Sequence, residues 1–556
     1  MAQSYKPWFE RYPERFESES QLLKDSGFTL DASAFHERQS VEFEGSLDVD
    51  PNRRLKIRFP DAFPSMPPLV FDAEDQPLLS RHHHLSTRQL CLFGPGNARW
   101  MAKCTVSHVI GEVKELLLQF GKGGMPPEGD LVPEPLSSVI NYGLGESILI
   151  PPPISSVQFD ADQTGQCEVS LCYESAPNNS GVRRGMVVSA LVGGTQTKIS
   201  NNFEHLKWQK FDRIICKVIS FSQQPSIQEL ETTVVQLAKR TRTSLNKRDL
   251  WIAAIFPEQS GSTEQTRFAW VFARVFPGKR PEWIRGFPVR AAERLARIPH
   301  LQGIENVNAA IIGCGCLGSK IAVNLAASGV EQFSLLDSDI MEPYNSVRHE
   351  VGTTSFGLSK VEALAWRLWE INPEVLSQIT PIPCSVGSVN SVEVENKLFE
   401  VISRASVVID TTGVHGVSRW LNDLCSILNV PAIYASVTNG SWGGEIVRSI
   451  PGKTPCWLCW YNQFADSRPP AEPADVFFAP GCDQPSFTGT TYDSAIVASF
   501  ATSMVVDTVL PESEGRKSLN GDYIRWSGRD ENGVPILRSE ILSVKRRADC
   551  PFCGGN

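Results

Sequence analysis

The sequence predicts a multidomain α/β protein, on three observations. Its 556 residues exceed one ordinary domain. Residues 309–339 read as strand, glycine-rich turn, helix and strand. The passage ILIPPPISS, Ile148 to Ser156, carries three consecutive prolines that continue neither a helix nor a central strand, so it marks a linker or an edge. Three segments follow: 1–147, 148–285 and 286–556.

The first segment opens with charged helical stretches and continues through LKIRFPDAFPSMPPLVF, QLCLFGPG and the amphipathic run VSHVIGEVKELLLQF, ending in GKGGMPPEGD. Helical and strand patterns together make it α+β. Cys91 stands between two leucines ahead of a Gly-Pro-Gly turn. Buried free cysteine is common and inert, so its own surroundings leave core filler and nucleophile both open. The second segment alternates β-like runs (EVSLCYES, MVVSALVGG, RIICKVISF, LWIAAIF) with one helical stretch, IQELETTVVQLAKRTRTSL. This mixed α/β pattern holds no catalytic constellation and reads as a spacer or partner-binding domain. In the third segment, VVIDTT and AIYASV add further buried parallel strands to the strand–turn–helix–strand unit.

Composition is that of a globular protein, 41% hydrophobic and 21% charged. A net charge of −9 argues against nucleic acid as a partner, since phosphate contacts need clustered Lys and Arg. The charged amino terminus shows no signal peptide and no apolar run reaches 18 residues, so neither secretion nor a membrane span is expected. Fourteen cysteines without a secretion signal point to thiols and metal ligands in a reducing compartment, the cytoplasm.

Gly313, Gly315 and Gly318 form GCGCLG between an apolar strand and a helix. Glycines let a backbone approach phosphate, and a helix N-terminus offers free N–H groups and a favourable dipole. Asp337 ends the next strand, where an acid binds ribose hydroxyls. To this point a NAD-dependent dehydrogenase fits as well as any ATP enzyme. Cys456 and Cys459 (CWLC) with Cys550 and Cys553 (CPFC) can supply four thiolates to one tetrahedral structural zinc, although their separation exceeds that of a zinc ribbon.

The residues after Asp337 separate the cases. Asp339, Asn345 and Arg348 in DSDIMEPYNSVRHE, Lys360 in FGLSKVEAL and Asp410 in VVIDTTG are ordered as in the ThiF-type, Rossmann-like adenylation domain of ubiquitin-activating enzymes and of bacterial enzymes that adenylate sulfur-carrier proteins. The third segment resembles that family throughout. The resemblance implies ATP and Mg2+ as cofactors, Asp337 on the ribose, Asp410 on the magnesium side, and Arg348 and Lys360 offsetting charge as a carboxylate attacks the α-phosphate. It implies that the split cysteine pairs fold together on structural Zn2+. It also places the catalytic cysteine between them, at Cys482, and an upstream arginine at Arg290 or Arg297 that reaches across a homodimer.

The first segment resembles a ubiquitin-conjugating enzyme, through its Phe-Pro turn and Pro-Pro strand, a histidine-bearing stretch, Cys91-Leu92, Trp100 and Thr105. It departs from that family where His82, His83 and His84 replace the usual His-Pro-Asn. Both domains on one chain resemble the bacterial fusions of CBASS anti-phage systems. That resemblance implies a cGAS-like nucleotidyltransferase as the conjugated protein, thioesters on Cys482 and then Cys91, and ligation to an amine of a target protein or small molecule. The alternative is a sulfur-carrier-protein adenylyltransferase for cofactor synthesis whose extra domains only bind partners.

Overall fold

The computed structural model describes residues 6–73, 88–93, 97–120, 135–140, 142, 146–151, 154–156, 164–175, 181–192, 195–198, 212–241, 249–259, 266–289, 295, 297–388, 390–473, 488–510, 512–513 and 516–554. One compact unit ends at Pro288 and a second begins at Val289.

In the first unit, helices α1 (Trp8–Arg11) and α2 (Pro13–Asp25) precede an antiparallel meander of β1 (Thr29–Leu30), β2 (Glu42–Leu47), β3 (Asp50–Arg58) and β4 (Leu69–Asp72). Helix α3 (Ala32–Arg38), capped by Asp31, links β1 to β2. Helix α4 (Val106–Phe120) buries Val106, Val109, Ile110, Val113 and Leu117, the helical spacing of an amphipathic face, against Phe43, Ile57 and Leu90. Buried Glu19 of α2 accepts the Val106 amide at 2.7 Å, so one side chain caps α4 and ties the two helices together.

The same unit holds a second sheet, of eight strands: β5 (Glu146–Ile150), β6 (Thr164–Ser175), β7 (Gly181–Val192), β8 (Thr195–Lys198), β9 (Asp212–Ser220), β10 (Leu250–Gln259), β11 (Thr266–Val275) and β12 (Glu282–Pro288). It closes on itself, because β5 pairs in parallel with both β12 and β7. Alternation along β10 shows the two faces. Trp251, Ala253 and Ile255 pack with Val169, Val218 and Phe272, whereas Ile252, Ala254 and Phe256 pack with Leu230 and Val234 of helix α6 (Ile227–Thr241). Helix α5 (Leu136–Val139) lies in the same cluster as α6.

The second unit is built on an eight-stranded sheet ordered β15-β14-β13-β16-β17-β18-β19-β20. Strands β13 (Asn308–Ile312), β14 (Gln332–Leu336), β15 (Ile379–Ile382), β16 (Val407–Asp410) and β17 (Ala432–Val437) run parallel. Strands β18 (Gly443–Ser449), β19 (Tyr523–Arg529) and β20 (Pro535–Leu542) extend it antiparallel. One face packs on α7 (Cys316–Ala327), α8 (Lys360–Ile371) and α12 (Thr491–Val509) through Ala309, Ile311 and Ile409. The other packs on α9 (Val392–Arg404), α10 (His415–Leu428) and α11 (Trp457–Phe464) through Ala310, Ile312 and Val408. Helices on both faces explain the near-continuous apolar runs of the parallel strands. From β13 the chain moves out to β14 and β15, then returns to β16 on the other side. The β13/β16 boundary is therefore the topological switch point, where ligands of such sheets bind. Among the described residues, no helix is long and apolar enough to cross a membrane.

Candidate functional site

The glycine turn sits at that switch point, and each glycine has its own reason to be there. Gly313 has φ +86°, a conformation that disfavours a side chain. A Cβ on Gly318 would stand 1.9 Å from the Gly313 carbonyl oxygen, so its absence lets α7 start against the turn. Around Gly315 there is open space within 4 Å. Open space next to the free N–H groups of a helix start is what a phosphate needs.

Neighbouring strands brace the turn. Asp337 Oδ2 accepts the Cys314 amide at 2.7 Å and its Oδ1 the Asp339 amide at 2.8 Å. Burial pushes the Asp337 carboxyl up, while the Lys360 charge pulls it back. Thr411 Oγ1, just past β16, donates to the Gly313 carbonyl at 2.5 Å. His349 Nε2 donates to the Cys314 carbonyl at 2.7 Å while its Nδ1 accepts the Val351 amide at 3.2 Å. That pairing makes it the neutral Nε2–H tautomer, and burial pushes its pKa down to about 4. Buried Lys320 reaches from α7 to Glu350 at 2.8 Å and to Thr491 Oγ1, in the first turn of α12, at 3.0 Å.

The sequence-predicted residues fall around this turn with different exposures. Lys360, at the start of α8, pairs with exposed Asp339 at 2.7 Å. Asn345 receives the Glu342 amide at 2.9 Å and so closes the short helical turn that presents half-buried Arg348. Asp410 is fully buried. Thr412 donates to its Oδ1 through both amide and hydroxyl, at 3.0 and 2.8 Å, and Ser418 donates to its Oδ2 at 2.6 Å. Burial raises its carboxyl against those bonds. Its structural work is therefore to hold the turn from β16 to α10. Cys482, Arg290 and His82 to His84 lie outside the described residues; Arg297 is exposed.

Cys456, Cys459, Cys550 and Cys553 converge, with all four sulfurs within 4.8 Å of one another. Cys456 Sγ is 3.5 Å from Cys550 Sγ, and Cys459 Sγ 3.4 Å from Cys553 Sγ. The Arg547 amide donates to Cys459 Sγ at 3.4 Å, a backbone donor suited to thiolate charge. Four convergent thiols, three of them buried, fit a structural zinc. In the first unit, the segment 89–90 docks on β4 through the Leu90 amide and Val70 carbonyl at 2.8 Å. Leu90 and Leu92 are buried, but Cys91 between them is exposed. The Trp100 indole N–H donates to the Pro64 carbonyl at 2.8 Å, fixing the following loop on the Phe-Pro turn.

Sequence reasoning passed over His349, although it adjoins Arg348, because a buried brace has no spacing signature. It also passed over Trp457 and Trp460, which sit inside the CWLCW motif itself.

The second unit is thus a doubly wound α/β domain with an open glycine turn at its switch point and a cluster of four convergent cysteines. The ThiF family model matches residues 290–541, nearly all of the second unit. Uncharacterized protein y4oA of Sinorhizobium fredii is 24% identical over 601 residues, spanning 99% of this chain and 98% of its own length. The sulfur carrier protein ThiS adenylyltransferase of Bacillus subtilis is 28% identical over 255 residues, 45% of this chain and 66% of that protein. The crystal structure of Escherichia coli MccB with ATP shares 20% identity at a TM-score of 0.35, over 47% of this chain and 74% of that one.

Proposed function

We propose that the second unit is a ThiF-family adenylyltransferase that activates the C-terminal carboxylate of a protein and hands it on as a thioester. The observation that carries this is the braced turn, with open approach at Gly315, an acid at Asp337, and Arg348 and Lys360 on the elements that follow it. In this reading ATP lies with its ribose at Asp337 and its phosphates over Gly315. The substrate carboxylate oxygen bonds to the α-phosphorus as the bond to the β-bridging oxygen breaks, releasing pyrophosphate. Arg348 and Lys360 meet the charge that develops. Magnesium supplies further charge neutralisation when bound; Asp410 would hold it through Oδ2, which carries a single hydrogen bond from Ser418.

The Cys482 thiolate then attacks the acyl carbon and AMP leaves. The Cys91 thiolate takes the acyl group with Cys482 as leaving thiol, and an amine of a target protein or small molecule displaces Cys91 to form an amide. Exposure of Cys91 between two buried leucines suits that role, since an acceptor must be reachable. The carboxylate donor assigned here is a cGAS-like nucleotidyltransferase, the setting is anti-phage defence in the cytoplasm, and the working form is a homodimer. What supports these is the resemblance of the two segments to activating and conjugating enzymes on one chain.

The test is incubation with ATP, magnesium and candidate partners, resolved on non-reducing gels. Thiol-sensitive adducts are expected, with Cys91→Ala stalling the adduct on Cys482. Normal charging of Cys91 in a Cys482→Ala variant would overturn the order of transfer. A second reading, sulfur-carrier adenylylation, is supported by the Bacillus subtilis relative named for that activity. It predicts ATP–pyrophosphate exchange with a carrier protein and no acyl-thioester on Cys91.

A further inference from the structure

Lys320 lies in α7, the helix that starts at the glycine turn, and is only 5% exposed. Lysine is almost never buried to that degree unless it is paired. Its ammonium donates to Glu350 Oε1 at 2.8 Å and to Thr491 Oγ1 at 3.0 Å. A side chain this enclosed, with its ammonium already shared between a carboxylate and a hydroxyl, is poorly placed to take a phosphate as well. Nor does stability account for the pair. Taking two charges out of water costs about what their attraction returns, and apolar groups of equal volume often serve a fold as well. What such a pair supplies is fixed geometry.

The geometry fixed here is the backbone around Arg348. Glu350 stands two residues beyond it, and the residue between them, His349, bonds the Cys314 carbonyl at 2.7 Å. On the other side, the Arg348 amide donates to the Asn345 carbonyl at 3.0 Å. Arg348 is thus tied on both flanks. One of those ties ends on the glycine turn and another on the helix that begins there. Thr491, in the first turn of α12, secures Lys320 from a third element. Precision of this kind matters for a charged group that must meet a phosphate, since a misplacement of about 1 Å costs as much as ~10²-fold.

We propose that Lys320 is a positioning residue for phosphate binding: through Glu350 it holds the segment carrying Arg348 against the glycine turn, so that the Arg348 guanidinium meets the phosphates of ATP. This role rests on the adenylation reading for what Arg348 does, whereas the tether itself does not.

The experiment titrates the full chain with ATP–Mg2+ and with adenosine, by calorimetry and saturation-transfer NMR, beside the melting temperature of each variant. Adenosine has no phosphate and so reports base and ribose contacts alone. Arg348→Ala is expected to weaken ATP at least tenfold and to leave adenosine within twofold. Lys320→Met and Glu350→Gln each remove one charge at similar volume. Each is expected to weaken ATP at least fivefold, to leave adenosine within twofold and to melt close to wild type. A merely structural role would lower melting and weaken both ligands alike. In an Arg348→Ala background the same two substitutions should cost no further ATP affinity, because groups that act through one another are not additive. Glu350 is 28% exposed, so Glu350→Gln carries the cycle alone where Lys320→Met does not fold. Normal ATP binding by Glu350→Gln, equal losses of ATP and adenosine, or a full further loss in the Arg348→Ala background overturns the positioning role and leaves the adenylation reading standing. A wild-type chain that binds no ATP, or an Arg348→Ala chain that binds it normally, overturns the part that reading gives Arg348 and the role of Lys320 with it.

Discussion

Gly315 and Gly318 are three residues apart, and the structure predicts opposite consequences for the same methyl group. Gly318→Ala places a Cβ 1.9 Å from the Gly313 carbonyl oxygen and 2.7 Å from Thr411 Oγ1, where 3.0 Å is the practical limit. The first is backbone and the second is held to that carbonyl by a 2.5 Å hydrogen bond, so no rotamer change relieves the contact. Overpacking costs ~1–3 kcal/mol and loss of the Thr411 bond adds ~1 kcal/mol. Alanine's helix propensity returns ~1 kcal/mol. The net loss is then ~2 kcal/mol, or ~4–8 °C in the melting temperature of a domain this size. Gly315→Ala meets nothing within 4 Å, and its φ of −82° suits any residue. Its melting temperature should stay within ~1 °C of wild type, yet the methyl stands where phosphate would approach, so ATP affinity should fall at least tenfold. Differential scanning calorimetry and ATP titration of both variants supply the comparison. A Gly318→Ala protein as stable as wild type, or a Gly315→Ala protein that binds ATP normally, would refute the geometry from which both numbers come.

Zinc removal should act on the whole carboxyl-terminal part of the domain, because structural sites of this type contribute ~10 kcal/mol or more to folding. Chelation is expected to release one zinc per chain in a colorimetric assay and to lower the melting temperature by more than ~10 °C, and Cys456→Ser should behave alike; a zinc-free chain with unchanged melting would count against the site. His349 carries a pH signature. Its folded pKa of about 4 lies below the ordinary histidine value, so the unfolded chain binds more protons between the two. The stability it contributes, ~3 kcal/mol from that shift, is complete above pH ~6.5 and is lost as pH falls toward about 4. His349→Gln keeps a donor for the Cys314 carbonyl and removes the titration. The wild-type-minus-variant difference in urea stability should therefore slope through that window. Asp337 and Asp410, whose raised carboxyls titrate in the opposite sense, cancel in the difference.

The parts of this site legible in the sequence were those encoded by short spacing. GCGCLG after an apolar strand, an acid at the end of the next strand, and two C-x-x-C pairs all survive as local geometry. What depends on distant pairing did not show. Closure of the middle sheet needs β5 to meet β7 and β12, and nothing in the EVSLCYES or LWIAAIF runs specifies that partner. The family resemblance put Asp410 on the magnesium side. Ser418, eight residues further along α10, turns it into a buried anchor as well. Trp457, between the cysteines, and Trp460, just after them, were hidden because a cysteine motif draws attention away from its neighbours.

That last overlap ties the two ends of the domain together. Cys456 and Cys459 meet Cys550 and Cys553 near the tail of the chain, and the same helical turn sets Trp457 against Tyr434 and Trp460 against Tyr523. Glu445 of β18 completes the far wall of a cavity lined by Tyr434, Trp457 and Trp460, and is held from behind by a buried hydrogen bond from Tyr523 of β19. The parallel half of the sheet thus builds the glycine turn, and the antiparallel half with its cysteine-clustered helix builds the cavity beside it. Thr411, Thr412 and Gly413 form the seam, with Thr411 on the Gly313 carbonyl and Thr412 on Asp410.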